Sequence, residues 1–231
     1  MSVKDNLALV QQQITQAAIQ SGRTPEEIQL IAVSKTKPVE LIKEALAAKQ
    51  TAFGENRIQE AHGKIEMLSN SPEIEWHLIG HLQKNKVKFC PGNFQWIHSV
   101  ESVELANKLE ARCALTNKNI NVLIQVNLSR EESKSGLQEW DDILRVAEAI
   151  SAGQWLKFRG LMTIPAPNLG ELKTRKIYEQ IRKWRDKLQH ELDSAEITEL
   201  SMGMTVDYHW AIQEGATMIR EIGRASCRER V

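Results

Sequence analysis

The stretch "IQLIAVSKTKPVELIKEALAAKQTAFGEN", residues 28–56, contains one full unit of the pattern that decides the fold. Residues 28–34 form an apolar run too short for a helix and bounded by polar residues, which reads as a buried strand. Pro38 then opens a helical pattern over 38–49, a place where proline's fixed φ and missing N–H do no harm. A second short run, "TAFGEN", follows at 51–56. Strand, helix and strand at these lengths make a parallel βαβ unit.

Outward from this unit the alternation continues. Apolar runs recur at 75–80, 95–100, 120–128, 156–164, 197–203 and 216–222, and helical patterns lie at 57–69, 82–89, 101–115, 137–152, 170–193 and 206–214. An additional amphipathic helix opens the chain over 3–21, with Leu7, Val10, Ile14, Ala17 and Ala18 on one side. Eight strands in this length predict the α/β class and a single (β/α)8 TIM barrel in preference to an open doubly wound sheet. The glycine fingerprint of the open dinucleotide-binding sheet is absent, since the first strand runs into "SKTKPV" (34–39), and there is no P-loop. No linker or repeat divides the chain, so one domain is expected over 1–231, with "IPAPNLGE" (164–171) as a long loop after the sixth strand.

Composition narrows the partners. At 231 residues and 42% hydrophobic content the chain is long enough for one large core. Thirty basic and thirty acidic residues cancel, giving no electrostatic case for nucleic acid or an anionic membrane, and "QKNKVK" (83–88) reads as a solvated helix end. No stretch approaches the ~18 apolar residues of a membrane span, and the N-terminus lacks the apolar segment of a signal peptide. Cys90, Cys113 and Cys227 have neither disulfide nor zinc spacing. A cytoplasmic monomer is expected.

Barrel chemistry collects at the C-terminal ends of strands. Those ends here are Lys35; Glu55 and Asn56; His77, Gly80 and His81; His98 and Ser99; Asn127; Met162 and Thr163; Ser201 and Gly203; and Arg220. A lysine among apolar neighbours at a barrel mouth loses ammonium solvation and becomes an amine able to attack a carbonyl. "SMGMT" (201–205), following the seventh strand, is placed where such barrels seat phosphate. An amine opposite a phosphate seat admits a Schiff-base aldolase acting on a sugar phosphate, or pyridoxal 5′-phosphate (PLP).

The segments "AVSKTKP" (32–38), "FGENRIQEA" (53–61), "WHLIGHLQKNK" (76–86), "VLIQVNLSREESKSG" (122–136), "RGLMTIPAP" (159–167) and "LSMGMTVDYHWAIQEGATMIR" (200–220) together resemble the YggS/PROSC family of pyridoxal phosphate homeostasis proteins. The resemblance implies a barrel of the alanine racemase N-terminal type (PLP fold type III) that carries and buffers PLP in vitamin B6 and amino-acid homeostasis, with PLP-requiring apo-enzymes as partners. It implies PLP covalently bound as a Schiff base on Lys35. Ser201 and Gly203 would hold the phosphate, Arg220 would approach the pyridine nitrogen, Asn56 and His77 would line the ring's other edge, and Met162 and Met202 would cover its faces. An arginine facing the ring nitrogen leaves it unprotonated and weakens the cofactor as an electron sink. The related racemases draw a second base from another domain for which this chain has no room, so a weak racemase is the nearer enzymatic alternative and the aldolase the more remote.

The family pattern departs at the end. Members continue after the strand-eight arginine with Ile-Gly-Thr, a Phe-Gly pair and a closing helix, whereas this chain reads "REIGRASCRERV" (220–231). Residues 221–231 read as unrelated sequence of the kind a cloning or assembly artefact leaves. Two consequences are expected: a phosphate cup short of one backbone N–H and a hydroxyl, and an uncovered apolar flank on strands one and eight.

Overall fold

The computed structural model describes residues 2–129, 131 and 135–221. Helix α1 (Val3–Gln20) leads into β1 (Gln29–Val33), α2 (Val39–Ala47), β2 (Ala52–Glu55), α3 (Ile58–Met67) and β3 (Glu75–Leu78). Then come β4 (Trp96–Val100), α4 (Val103–Thr116), β5 (Ile120–Val126), α5 (Trp140–Ser151) and β6 (Leu156–Thr163). The chain continues through α6 (Glu171–Glu191), β7 (Glu199–Met204), α7 (Tyr208–Gln213) and β8 (Met218–Glu221). All eight strands are parallel neighbours in chain order, and β8 closes on β1 with Ile31 opposite Arg220.

Side-chain alternation along each strand divides the interior into two layers. Leu30, Ala32, Phe53, Trp76, Leu78, Ile97, Val122, Ile124, Leu161, Leu200 and Ile219 face the helices and join the main core. Ile31, Ala52, Leu123, Met162 and Met218 form a separate cluster inside the barrel. That lumen is finished with polar side chains rather than more aliphatic ones, and this is where the site begins.

Two expectations change. The helical pattern at 82–89 is a 3-10 helix over Lys84–Phe89, so the third crossover is short and tight. The flank of β1 and β8 is also not left bare. Helix α1 packs between α7 and α2, in the place of an eighth barrel helix, and buries Val10, Ile14 and Ala18. Full burial of a side chain such as Ile14 contributes about 1.5–3 kcal/mol. Tyr208 donates to Gln13 at 2.7 Å, and Arg23 Nη1 donates to the carbonyls of Ile212 (3.1 Å) and Ala216 (2.7 Å), fixing α1 to the α7 side. Ser2 and Asp5 cap its start reciprocally. The expectations for residues 222–231, including the incomplete phosphate cup, lie outside the described residues; Glu221 is the buried last residue of β8.

Candidate functional site at the barrel mouth

Lys35 lies two residues past β1, in the same alternation as the lumen-facing Ile31, and is half-buried. Among the described residues no hydrogen bond or ion pair occupies its ammonium. Thr36 beside it has φ 61°, a left-handed conformation uncommon for a β-branched residue. Such strain persists only where the surroundings impose it.

The surroundings that impose it are on the helix side of the sheet. Ser34 and Glu55 point outward from β1 and β2 toward α3, where Lys64 is buried between them. Lys64 Nζ donates at 2.7 Å to the Ser34 carbonyl, to Glu55 Oε1 and to Glu60 Oε1. Ser34 Oγ also donates to Glu55 Oε1 at 2.6 Å, and the Thr36 N–H donates to Glu60 Oε1. The backbone on both sides of Lys35 is therefore fixed by a buried ion cluster. Burial pushes the Glu55 carboxyl above its ordinary range, with Lys64 and Ser34 opposing that push. Glu55 Oε2 is buried without a hydrogen-bond partner. Lys64, in an α3 whose sequence shows a polar surface pattern, carries no sequence signal of this role.

Asn56 follows β2 in the lumen-facing alternation of Ala52. Its backbone touches Gly80: a Cβ at residue 80 would fall 2.2 Å from the Asn56 carbonyl oxygen, so only glycine permits the two loops to meet. Ser99 Oγ donates to the Gly80 carbonyl at 2.7 Å from the next strand round.

Ser201 and Arg220 come together inside the barrel. Arg220 Nη1 donates to Ser201 Oγ at 2.6 Å and Nη2 to the Thr163 carbonyl at 2.9 Å. Burial lowers the Arg220 guanidinium to about 10, still a cation at neutral pH. Residues 201–204 belong to β7 rather than to a free loop, and the pairing with β8 shifts register between Ser201 and Met204. Gly203 has φ 95°, and a Cβ there would lie 2.6 Å from Ala211 Cβ, so glycine lets β7 turn onto α7. Asp207 accepts from the Met204 N–H (2.7 Å) and the Tyr178 hydroxyl (2.8 Å), bracing the turn.

The remaining expected site residues divide. Met162 is inside the barrel, whereas Met202 is in the helix-facing core because it is one residue out of phase with Ser201. The expectation that both cover the faces of a ligand is corrected for Met202. His77 is fully buried, its ring stacked on Trp96 at 5.7 Å between centroids and 4° between planes, and is a core group beneath the mouth, with no free edge toward it.

Below Ser201 the polar groups continue down the barrel axis. His98 Nδ1 lies 2.9 Å from Ser201 Oγ, and His98 Nε2 lies 3.0 Å from His77 Nδ1. His77 Nε2 is 3.3 Å from Glu75 Oε2, near but not aligned as a hydrogen bond. Glu75, at the opposite end, accepts from Trp96 Nε1 (2.6 Å) and Gln29 Nε2 (2.8 Å). Burial holds both imidazoles below the ordinary histidine range; Glu75 opposes this at His77, while the nearby His77 and Arg220 add to it at His98. His98 appears in the sequence only as a strand-end residue, without a partner.

The chain matches the family model described as alanine racemase, N-terminal domain, over residues 6–223. It is 43% identical over 227 residues to the pyridoxal phosphate homeostasis protein of Pasteurella multocida, covering 97% of this chain and 96% of that one. The protein of the same name from Escherichia coli K12 is 40% identical over 227 residues, covering 96% and 94%. The structure of PipY from Synechococcus elongatus with PLP bound superposes with a TM-score of 0.88 at 35% identity, covering 98% of this chain and 100% of PipY.

Proposed function

Because the chain belongs to the pyridoxal phosphate homeostasis family, whose barrel is that of the alanine racemase N-terminal domain, we propose that it is a cytoplasmic PLP carrier and buffer working as a monomer. Lys35 supplies the amine that binds the PLP carbonyl covalently, and from this barrel the cofactor passes to PLP-requiring apo-enzymes. The observation that most supports this is the Lys35 ammonium, half-buried and without a partner among the described residues, in a turn that a buried ion cluster holds rigid. The donor set around it suits the same cofactor. Ser201 offers a hydroxyl to a phosphate, Asn56 and Met162 face the lumen near it, and Arg220 offers a cation that donates and never accepts.

PLP bound here would supply a carbonyl and a conjugated ring able to delocalise charge. The chain restrains that chemistry. Arg220 is fixed by Ser201 and the Thr163 carbonyl, so a ring nitrogen facing it gains no proton, and His77 and His98 are held below the mouth, with His98 within hydrogen-bond distance of both Ser201 and His77.

Borohydride reduction tests the reading. The expected result is a yellow protein that bleaches and gains one reduced pyridoxyl phosphate on the peptide containing Lys35, with Lys35→Ala colourless. Reduction that labels a different lysine, or a protein that takes up no PLP, overturns it. Deuterium uptake at Cα of alanine in heavy water, lost in Lys35→Ala, would instead establish a racemase.

A further inference from the structure

The lumen chain from Arg220 to Glu75 can run in two directions, and only one leaves Ser201 a proton for a ligand. Arg220 has no acceptor, so its Nη1 donates to Ser201 Oγ in either case. In the inward direction the Ser201 hydroxyl donates to His98 Nδ1, His98 Nε2–H donates to His77 Nδ1, and His77 Nε2–H faces the Glu75 carboxylate. Both imidazoles are then neutral and the single serine proton is used inside the barrel. In the outward direction His77 Nδ1–H donates to His98 Nε2, His98 Nδ1–H donates to Ser201, and the Ser201 proton turns to the mouth. A neutral His77 would then set a bare Nε2 lone pair against the Glu75 carboxylate at 3.3 Å, a repulsion that a second proton on His77 removes.

We propose that a phosphate ester accepted by Ser201 reverses this chain and takes up one proton from solution, which comes to rest as a His77 imidazolium facing Glu75. The inference rests on the reading of Ser201 as the phosphate contact. The protons balance. The Ser201 hydroxyl rotates outward with its proton, the incoming proton adds at His98 Nδ1, and the His98 Nε2 proton crosses to His77 Nδ1. No bond between heavy atoms forms or breaks, and the new positive charge offsets part of the anion's.

The groups facing the histidine pair are compatible with both states. Glu75, with Gln29 and Trp96 behind it, stands at the N-terminal end. Arg220 stands at the mouth end, near Tyr178 and Asp207. Burial disfavours a cation at either ring; Arg220 adds to that at His98, whereas Glu75 opposes it at His77, so a proton drawn in by the ligand's charge settles at the far end of the pair.

Pyridoxamine 5′-phosphate is the probe, because it carries the phosphate and has no carbonyl for Lys35. At about pH 8 the ester is fully dianionic, its second pKa being about 6. Calorimetric titration in buffers of different ionisation enthalpy should then show about one proton taken up per ligand, with affinity falling about tenfold per pH unit. The ¹⁵N signals of His77 should change from neutral to imidazolium on binding. Glu75→Gln, a change at the half-exposed end of the chain, should remove the uptake. Binding to the unmodified protein without proton uptake, or unchanged uptake in Glu75→Gln, overturns the proposal. The two failures separate in Ser201→Ala: undiminished affinity there refutes the phosphate contact itself, whereas weakened binding beside zero uptake in the parent refutes the proton coupling alone. Absence of any binding refutes both.

Discussion

Two buried polar networks occupy opposite faces of the same sheet, and their chemistry gives them different work. On the helix side, Lys64 can only donate and the carboxylates of Glu55 and Glu60 can only accept, so that cluster has one arrangement. Inside the lumen, Ser201, His98 and His77 can each donate or accept, so that chain has two. The first is suited to holding a backbone still, and what it holds is the turn that carries Lys35. The second is suited to responding, and it ends at the serine proposed to meet the phosphate.

The largest expected effect lies in the rigid network. Lys64→Met strands the fully buried Glu55 carboxylate without its cation, which should cost about 3–5 kcal/mol of stability, measured by urea denaturation. Pairing it with Glu55→Leu should recover most of that loss, because an apolar pair replaces a broken ionic one, while PLP retention stays low with the Ser34 carbonyl unheld. If Lys64→Met is nearly neutral, the cluster does not hold the turn by charge.

The responsive network should prove weaker. His98→Leu leaves Ser201 and His77 each without one neutral partner, a loss of about 1–3 kcal/mol, while Arg220 keeps both of its contacts. A destabilisation exceeding that of Lys64→Met would break the distinction between the two networks.

Most of the barrel was legible in the sequence because apolar runs and helical spacing are local signals. Strand positions agree to within two residues at every end, and those of β1, β2, β4 and β6 to within one. The site was legible less evenly. Lys35, Ser201 and Arg220 stand at strand ends where barrel geometry gives them meaning. Met202 illustrates the limit, since a motif read as a loop hid the strand phase that turns its side chain to the helices. Lys64 and the His77–His98 contact were not legible at all, because each depends on residues 9 to 30 positions away or on a neighbouring strand. Likewise α1 could be read as amphipathic, but not as the helix that closes the ring between α7 and α2.

Acid titration distinguishes the networks by sign. Burial tends to raise Glu75, but His77, Trp96 and Gln29 outweigh it and hold the carboxyl below its ordinary range. A group depressed in the folded state adds stability in full above its unfolded pKa, about 4.3, and loses it as pH falls through the folded value. Glu55 is raised by burial, so its contribution has the opposite sign: present below the unfolded pKa and lost as pH rises through the folded one. Melting temperatures of the parent and Glu75→Gln should therefore differ by a constant amount above about pH 5 and converge below it. A gap that widens on acidification would place the depressed carboxylate elsewhere.

The smallest effect is expected where the rigid network meets the reactive lysine. Thr36 holds φ 61° while exposed, so its side chain contributes little packing to offset a left-handed conformation that disfavours L residues by about 1–2 kcal/mol. Thr36→Gly relieves that strain but gives the unfolded chain more freedom, and the two terms oppose, leaving a net change within about 1 kcal/mol. The informative quantity is then the fraction of Lys35 labelled after borohydride. If the strained turn aims the amine, Thr36→Gly should fold as well as the parent and yet trap less PLP, whereas Thr36→Asn, which tolerates the left-handed region, should trap as much. Equal trapping in all three would mean that the Lys64 cluster alone orients Lys35, and that the strain at Thr36 is a by-product of the clamp.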